Sequence, residues 1–168
     1  MSQSLSSTLS DPTLLVEQSY IDGQWTSSRS SRTFIIHDPA TEQSIGTCPE
    51  SNLDDVHNAI EAASNAFPRW RALSGRQRGR MLRRLSDLLT ENKVDIGKII
   101  TAENGKAKAD AEGEVLFAAS FFEWFGEEAA RVYGDVVPHS NPGSRTHIIK
   151  EPVGVCGMIT PWSKSTIR

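Results

Sequence analysis

At 168 residues the chain is long enough for one domain with a sizeable core, and its 38% hydrophobic and 23% charged residues make the balance of an ordinary soluble globular protein. A formal net charge of -3 and a sequence pI ≈ 5.8 argue against a globally basic nucleic-acid binder. No apolar run approaches the roughly 20 residues of a membrane span, so no membrane segment is expected.

The Ser-rich start carries Asp11 and Glu17, holds no Lys or Arg before Tyr20 and lacks an apolar stretch, so it suits neither a secretory nor a mitochondrial presequence. Residues 1–18 are therefore expected to be a flexible arm, and the chain cytoplasmic. Tyr20 to Trp25 places Asp22-Gly23 between aromatic and apolar flanks, the signal of a hairpin whose turn needs positive φ twice. After a polar turn at Ser27 to Arg32, a strand over Thr33–His37, a turn at Asp38-Pro39-Ala40-Thr41 and a returning strand over Gln43–Thr47 predict a second hairpin. The hairpin region spans 19–48.

From Asn52 the apolar period becomes helical. Leu53, Val56, Ile60, Ala63 and Phe67 line one face, with Asn52 as N-cap, Asp54 and Asp55 at the positive end, and Pro68 as the expected stop. Ser74 and Gln77 form a capping box for a second helix striped by Met81, Leu82, Leu85, Leu88 and Leu89. Asn92 and Asp95 predict the same device for a third helix, which carries Val94, Ile99 and Ile100 and stops at Gly105. A fourth helix is expected from about Ala107 to Tyr133, with Gly134 just past its end. Its core stripe is Val115, Ala119, Phe122, Ala129 and Val132, and a second apolar edge of Phe117, Phe121 and Trp124 calls for a cover on that side too. The helical region is thus 52–134.

Pro142-Gly143 leads through a polar loop to a strand-like run at 145–150. Val153-Gly154-Val155-Cys156-Gly157-Met158-Ile159 is continuously small and apolar, the pattern of a strand at 153–159 buried on both faces of a parallel sheet. A parallel partner further along needs a crossover of a dozen or more residues, and only Ser163 to Arg168 follow Trp162. The sheet that this strand begins is expected to lack its neighbours.

The two cysteines, Cys48 and Cys156, make no CxxC or metal-ligand spacing and are read as packing residues with free thiols in a reducing compartment. His37, His57, His139 and His147 form no pair at ligand spacing, so no metal is expected. Arg76, Arg78, Arg80, Arg83 and Arg84 make the second helix basic. Without interleaved aromatic residues, a solvated or salt-bridged helix face is favoured over nucleic-acid binding.

Taken in order and spacing, Tyr20–Trp25, Asp38–Thr41, Ala66-Phe67-Pro68-Arg69-Trp70, Glu103-Asn104-Gly105-Lys106, the run from Glu123 to Ala129, and Glu151–Val155 through Pro161-Trp162 resemble the aldehyde dehydrogenase superfamily. The wording Glu123-Trp124-Phe125-Gly126-Glu127-Glu128-Ala129, followed by Val132-Tyr133-Gly134-Asp135, looks most like its NAD(P)-dependent succinate-semialdehyde branch. The resemblance covers about Gln18 to Trp162.

It implies an α/β fold: the N-terminal part of the aldehyde dehydrogenase fold, with β-hairpins, a four-helix layer and the first strand of an incomplete Rossmann-like domain. It implies a flap strand at 145–150 used in oligomerisation, and a backbone at Ile159, Thr160, Pro161 and Trp162 that lies beside the nicotinamide half of NAD or NADP. Phe117 and Phe121 become candidates for lining the aldehyde channel. The family's next residue is an Asn that steadies the oxyanion. Here it is Ser163, a shorter single donor, and loss of one such donor costs on the order of 10²–10³ in rate. Lys164 and Ser165 replace the family's Phe-Pro, so 163–168 reads as a non-family tail.

The nucleophilic Cys, the Glu general base and the ribose-gripping Lys and Glu lie downstream in relatives, so no catalytic residue is assigned. The expectation is a truncated chain whose parent oxidises succinate semialdehyde, or a related small aldehyde, to the acid, and which is inactive alone. The alternative is an interaction or modulatory subunit that joins full-length relatives, or a homo-oligomer. Nucleic-acid binding through the arginine helix is a third and least favoured reading.

Overall fold

A computed structural model describes residues 4–161. The elements are α1 (Leu5–Thr8), a 3₁₀ turn (Pro12–Leu14), β1 (Ser19–Ile21), β2 (Gln24–Thr26), β3 (Thr33–His37), β4 (Ser44–Pro49), α2 (Leu53–Ala72), α3 (Gly75–Glu91), α4 (Lys93–Asn104), α5 (Lys108–Glu128), β5 (Asp135–Pro138) and β6 (Arg145–Ile148). The strands form three separate antiparallel ribbons, β1-β2, β3-β4 and β5-β6. Among the described residues no helix is long and apolar enough to cross a membrane.

The first two hairpins form for the local reasons legible in their turns. Asp22 and Gly23 both take positive φ, 51° and 77°, and pair Ile21 with Gln24. In β3-β4, Asp38 accepts from Ala40 N (2.8 Å) and Thr41 Oγ1 (2.9 Å), an Asx turn that closes the loop.

The helix layer is built on α3, α4 and α5. Ile100, Ala111 and Val115 are sealed, with Leu89 and Ile96 packed against them. Gly79 and Gly126 let α3 and α5 approach until a Cβ on Gly79 would stand 2.5 Å from the Gly126 carbonyl oxygen. Farther along the same seam, Ser86 Oγ donates to Ala119 O at 2.9 Å. The α3 face turned inward is therefore Gly79, Leu82, Ser86 and Leu89, whereas Met81, Leu85 and Leu88 of the expected stripe remain exposed.

Several boundaries differ from the sequence reading. Residues 4–17 are not a loose arm. Leu9 is buried, Asp11 N donates to Asp95 Oδ2 (2.9 Å), and Lys98 Nζ donates to Thr8 O (2.7 Å). Glu17 accepts from Thr47 N (3.2 Å) and Thr47 Oγ1 (3.1 Å), so the start of the chain ties α4 to the β3-β4 hairpin. Helix α2 continues through Pro68 to Ala72. Ser64 and Pro68 are both exposed, so water reaches the carbonyl that Pro68 cannot serve. Asn92 does not cap α4: its backbone is near-helical, its Nδ2 donates to Leu88 O (2.9 Å), and Asp95 is engaged by the N-terminal segment.

Helix α5 ends at Glu128 instead of Tyr133. Gly134 serves another need than a helix cap, since a Cβ there would lie 2.1 Å from the Ile148 carbonyl oxygen of the β5-β6 ribbon. Strand β5, absent from the sequence reading, pairs Asp135 with Ile148 and Pro138 with Arg145. The expected strand at 153–159 is not formed: residues 149–161 carry no regular secondary structure. No β-strand lies beside them among the described residues, and an apolar run without neighbours has no ladder to join.

Candidate functional site

The candidate channel residues are brought together by helical spacing. Phe117 and Phe121, four apart on α5, stand edge to face with ring centroids 4.9 Å apart and planes at 84°, a favourable quadrupole geometry. Both rings are exposed, as are Trp124 and Phe125 one turn on. Ser120, Phe121, Glu123, Trp124, Phe125 and Glu127 bound an open groove on this side of the helix. The second apolar edge of α5 is thus an uncovered aromatic wall among the described residues, while Ala111, Val115 and Ala119 take the buried side.

The candidate cofactor residues lie on the segment beyond β6. An ion pair between Arg71 and Glu151 fastens the start of that segment to the end of α2. Trp70, Leu73, Arg78, Val132 and Pro152 close around the same recess, where Arg78 donates to the Leu73 carbonyl. Past Pro152 the chain leaves the body, with Val153 94% and Ile159 102% exposed. Ile159, Thr160 and Pro161 are exposed and join no sheet among the described residues, so these alone do not fit a dinucleotide. Trp162, together with Ser163, Lys164 and Ser165, lies outside the described residues.

Neither thiol is set up as a nucleophile. Cys48 sits half-buried in β4 opposite Phe34, and Cys156 is exposed on the irregular segment, its sulfur 3.8 Å from the Gly154 carbonyl. His37 Nδ1 meets Glu42 O at 3.1 Å, and His139 Nδ1 accepts from Asn141 N at 2.9 Å. No group of three or more His, Cys, Asp or Glu among the described residues could hold a metal ion. On the arginine helix, Arg83 reaches Asp87 (3.5 Å), Glu123 (2.9 Å) and Glu127 (3.7 Å), and Arg84 reaches Glu91 (3.4 Å).

Two carboxylates tie distant parts of the scaffold together. Asp55 completes the capping box of α2 by accepting from Asn52 N (2.9 Å), and it also receives Arg29 N (3.1 Å) and Ser28 Oγ (3.0 Å). The Asn52 amide foremost, then Arg29 and Ser28, hold its carboxyl below the ordinary 3.8 against the opposing effect of burial. Asp95 is likewise lowered from 3.8, first by Lys98 at 2.9 Å and then by the backbone amide of Asp11. The Asn52–Asp55 spacing announces the first in the sequence; nothing local announces Ser28 or Asp11 as partners.

Residues 25–167 match the aldehyde dehydrogenase family. Over 155 residues the chain is 45% identical to the glutarate-semialdehyde dehydrogenase of Pseudomonas aeruginosa, covering 92% of this chain and 32% of that protein. It is 43% identical to the succinate-semialdehyde dehydrogenase [NADP(+)] of Saccharomyces cerevisiae over 93% of this chain and 31% of the relative. The crystal structure of succinate-semialdehyde dehydrogenase from Burkholderia pseudomallei superposes with a TM-score of 0.90 at 45% identity, over 92% of this chain and 32% of that one. The chain spans about a third of the length of the relatives it matches. The fold is the N-terminal part of the aldehyde dehydrogenase fold, and the chain belongs to the aldehyde dehydrogenase family.

Proposed function

We propose that this chain is the N-terminal third of an NAD(P)-dependent semialdehyde dehydrogenase, whose parent reaction oxidises succinate semialdehyde or a related small aldehyde to the acid. The observation that carries this reading is the match to semialdehyde dehydrogenases along nearly the whole chain, with the α5 wording from Glu123 to Ala129 inside it. In that setting Phe117 and Phe121 line an apolar approach to the aldehyde. Ile159, Thr160, Pro161 and Trp162 supply the backbone beside the nicotinamide once a parallel sheet holds them. NAD or NADP, when bound, would supply the hydride acceptor; these residues would contribute position and exclusion of water.

By itself the chain is inactive in this proposal. Covalent oxidation of an aldehyde needs a thiolate beside a general base and an oxyanion donor. Cys156 is an exposed thiol on a segment without a sheet, and Cys48 is a hairpin residue. Purified chain incubated with succinate or glutarate semialdehyde and NAD⁺ or NADP⁺ should leave the absorbance of reduced nicotinamide flat. Steady turnover free of a contaminating relative would refute the proposal.

A second reading, association with full-length subunits, is favoured by the β5-β6 ribbon, whose residues are all exposed and whose two outer edges have no strand beside them among the described residues. Co-purification with a full-length relative supports it. Recovery of the relative without this chain, when the two are expressed together, removes it.

A further inference from the structure

We propose that Asn104-Gly105 is a spontaneous deamidation site which the end of α4 holds shut, so that the asparagine converts only when that end opens. Among the chain's six asparagines it is the one that precedes a glycine. A glycine has no side chain to hinder its own amide nitrogen, and that nitrogen can attack the side-chain carbonyl carbon of the residue before it. A C–N bond then forms between Gly105 N and Asn104 Cγ, and the side-chain amide leaves as ammonia, taking up the proton that Gly105 N gives up. Water opens the resulting cyclic imide at one carbonyl or the other and leaves aspartate or isoaspartate at 104. The sequence of steps consumes one water, releases one ammonia and transfers no electrons.

The fold opposes each requirement of that attack. Gly105 N must shed its proton, yet it donates to Thr101 O at 2.8 Å as the closing bond of α4. It must also swing over the Asn104 side chain, yet Asn104 is the last residue of α4 and its ψ is held in the helical range. Gly105 itself is set at φ 71° and ψ 13°. The Asp38–Thr41 turn leans on it, since a Cβ at Gly105 would lie 3.1 Å from Pro39 Cγ. Immediately after the glycine, Lys106 pairs with Glu114 of α5, both side chains partly buried, and this fastens the backbone on the far side of the reacting bond. Conversion would work against reclosure. Aspartate at 104 sets a charge at the negative end of α4 next to the buried Glu103, and isoaspartate lengthens the backbone by one carbon within the cap.

The full chain can be aged in warm, mildly alkaline buffer, folded in one sample and unfolded by guanidinium chloride in another. The tryptic peptide 99–106 is then followed by mass spectrometry with electron-transfer fragmentation, which separates aspartate from isoaspartate. Conversion at 104 should run at least about tenfold slower in the folded chain, because only the opened fraction reacts. Glu114→Gln removes the ion pair beside the glycine and should raise the folded-state rate about threefold while leaving the unfolded rate unchanged. Asn104→Gln, whose longer side chain cyclises far more slowly, should suppress the product in both samples. Equal rates in the folded and unfolded chain overturn the proposal, as does an unfolded chain that keeps its amide at 104. So does a folded Glu114→Gln chain that converts no faster than the parent. Far-UV circular dichroism checks that this variant keeps its helices; should it lose them, Glu114→Asp, which draws the carboxylate back by one carbon, carries the same test.

Discussion

Val115 and Ile159 are both β-branched aliphatic residues set among small and apolar neighbours, yet Val115 is 0% exposed in α5 and Ile159 is 102% exposed beyond β6. The difference lies in what surrounds them. Helix α5 meets α3 and α4 within the same chain, with glycines placed to let the backbones close on each other. The segment from Val153 to Pro161 has no strand to pair with among the described residues, so its apolar content joins no sheet there. Burial is a property of the pair of surfaces, and an apolar sequence supplies half of it.

Substitutions in the helix layer and in the exposed segment should separate sharply by this criterion. Ile100→Ala opens a cavity at a residue 1% exposed and should cost about 3 kcal/mol, read from urea denaturation. Gly79→Val should follow at about 2 kcal/mol, because its side chain would have to displace the Gly126 backbone across the α3/α5 seam. Acid should act next. Asp55 and Asp95 have folded-state pKa values below 3.8, so the stability they contribute is complete above the ordinary carboxylate range. It is lost as pH falls through 3.8 and then through the lower folded values. Thermal melts from pH 6 downward should show the midpoint falling in that window, and Asp95→Asn should flatten part of the fall. Ile159→Ser should change stability by less than about 0.5 kcal/mol. A loss comparable to that of Ile100→Ala would mean that the segment beyond β6 is packed in solution, and the contrast would fail.

What could be read from the residues follows the same division. Asp22-Gly23, Asn52 with Asp55, Ser74 with Gln77, and Gly105 at φ 71° are local devices, each complete within a few residues, and the structure contains all of them. Periodicity located the helices and the buried side of α5, with Val115 and Ala119 on it, but not the buried face of α3. Met81 and Leu85 belong to the stripe by spacing, yet the seam with α5 is set by Gly79 and Ser86, because close approach needs small side chains. The packed N-terminal segment escaped notice since its anchors, Asp95 and Lys98, stand far along the chain. The run at 153–159 has the apolar content of a buried strand and the expected lack of neighbours, and among the described residues content without a ladder leaves it irregular. For the candidate site, the α5 edge was legible because helical spacing alone brings Phe117 and Phe121 together. The placement of Ile159, Thr160 and Pro161 beside a cofactor rests on resemblance, since no local pattern makes a pocket of three exposed residues.

The hold that Asp95 takes on Asp11 reaches back 84 residues. During synthesis, at roughly 10 residues per second, the first turns of the chain leave the ribosome several seconds before the helix that fastens them exists. Through that interval Leu9 has nowhere to settle, and the nascent end is open to proteases and chaperones.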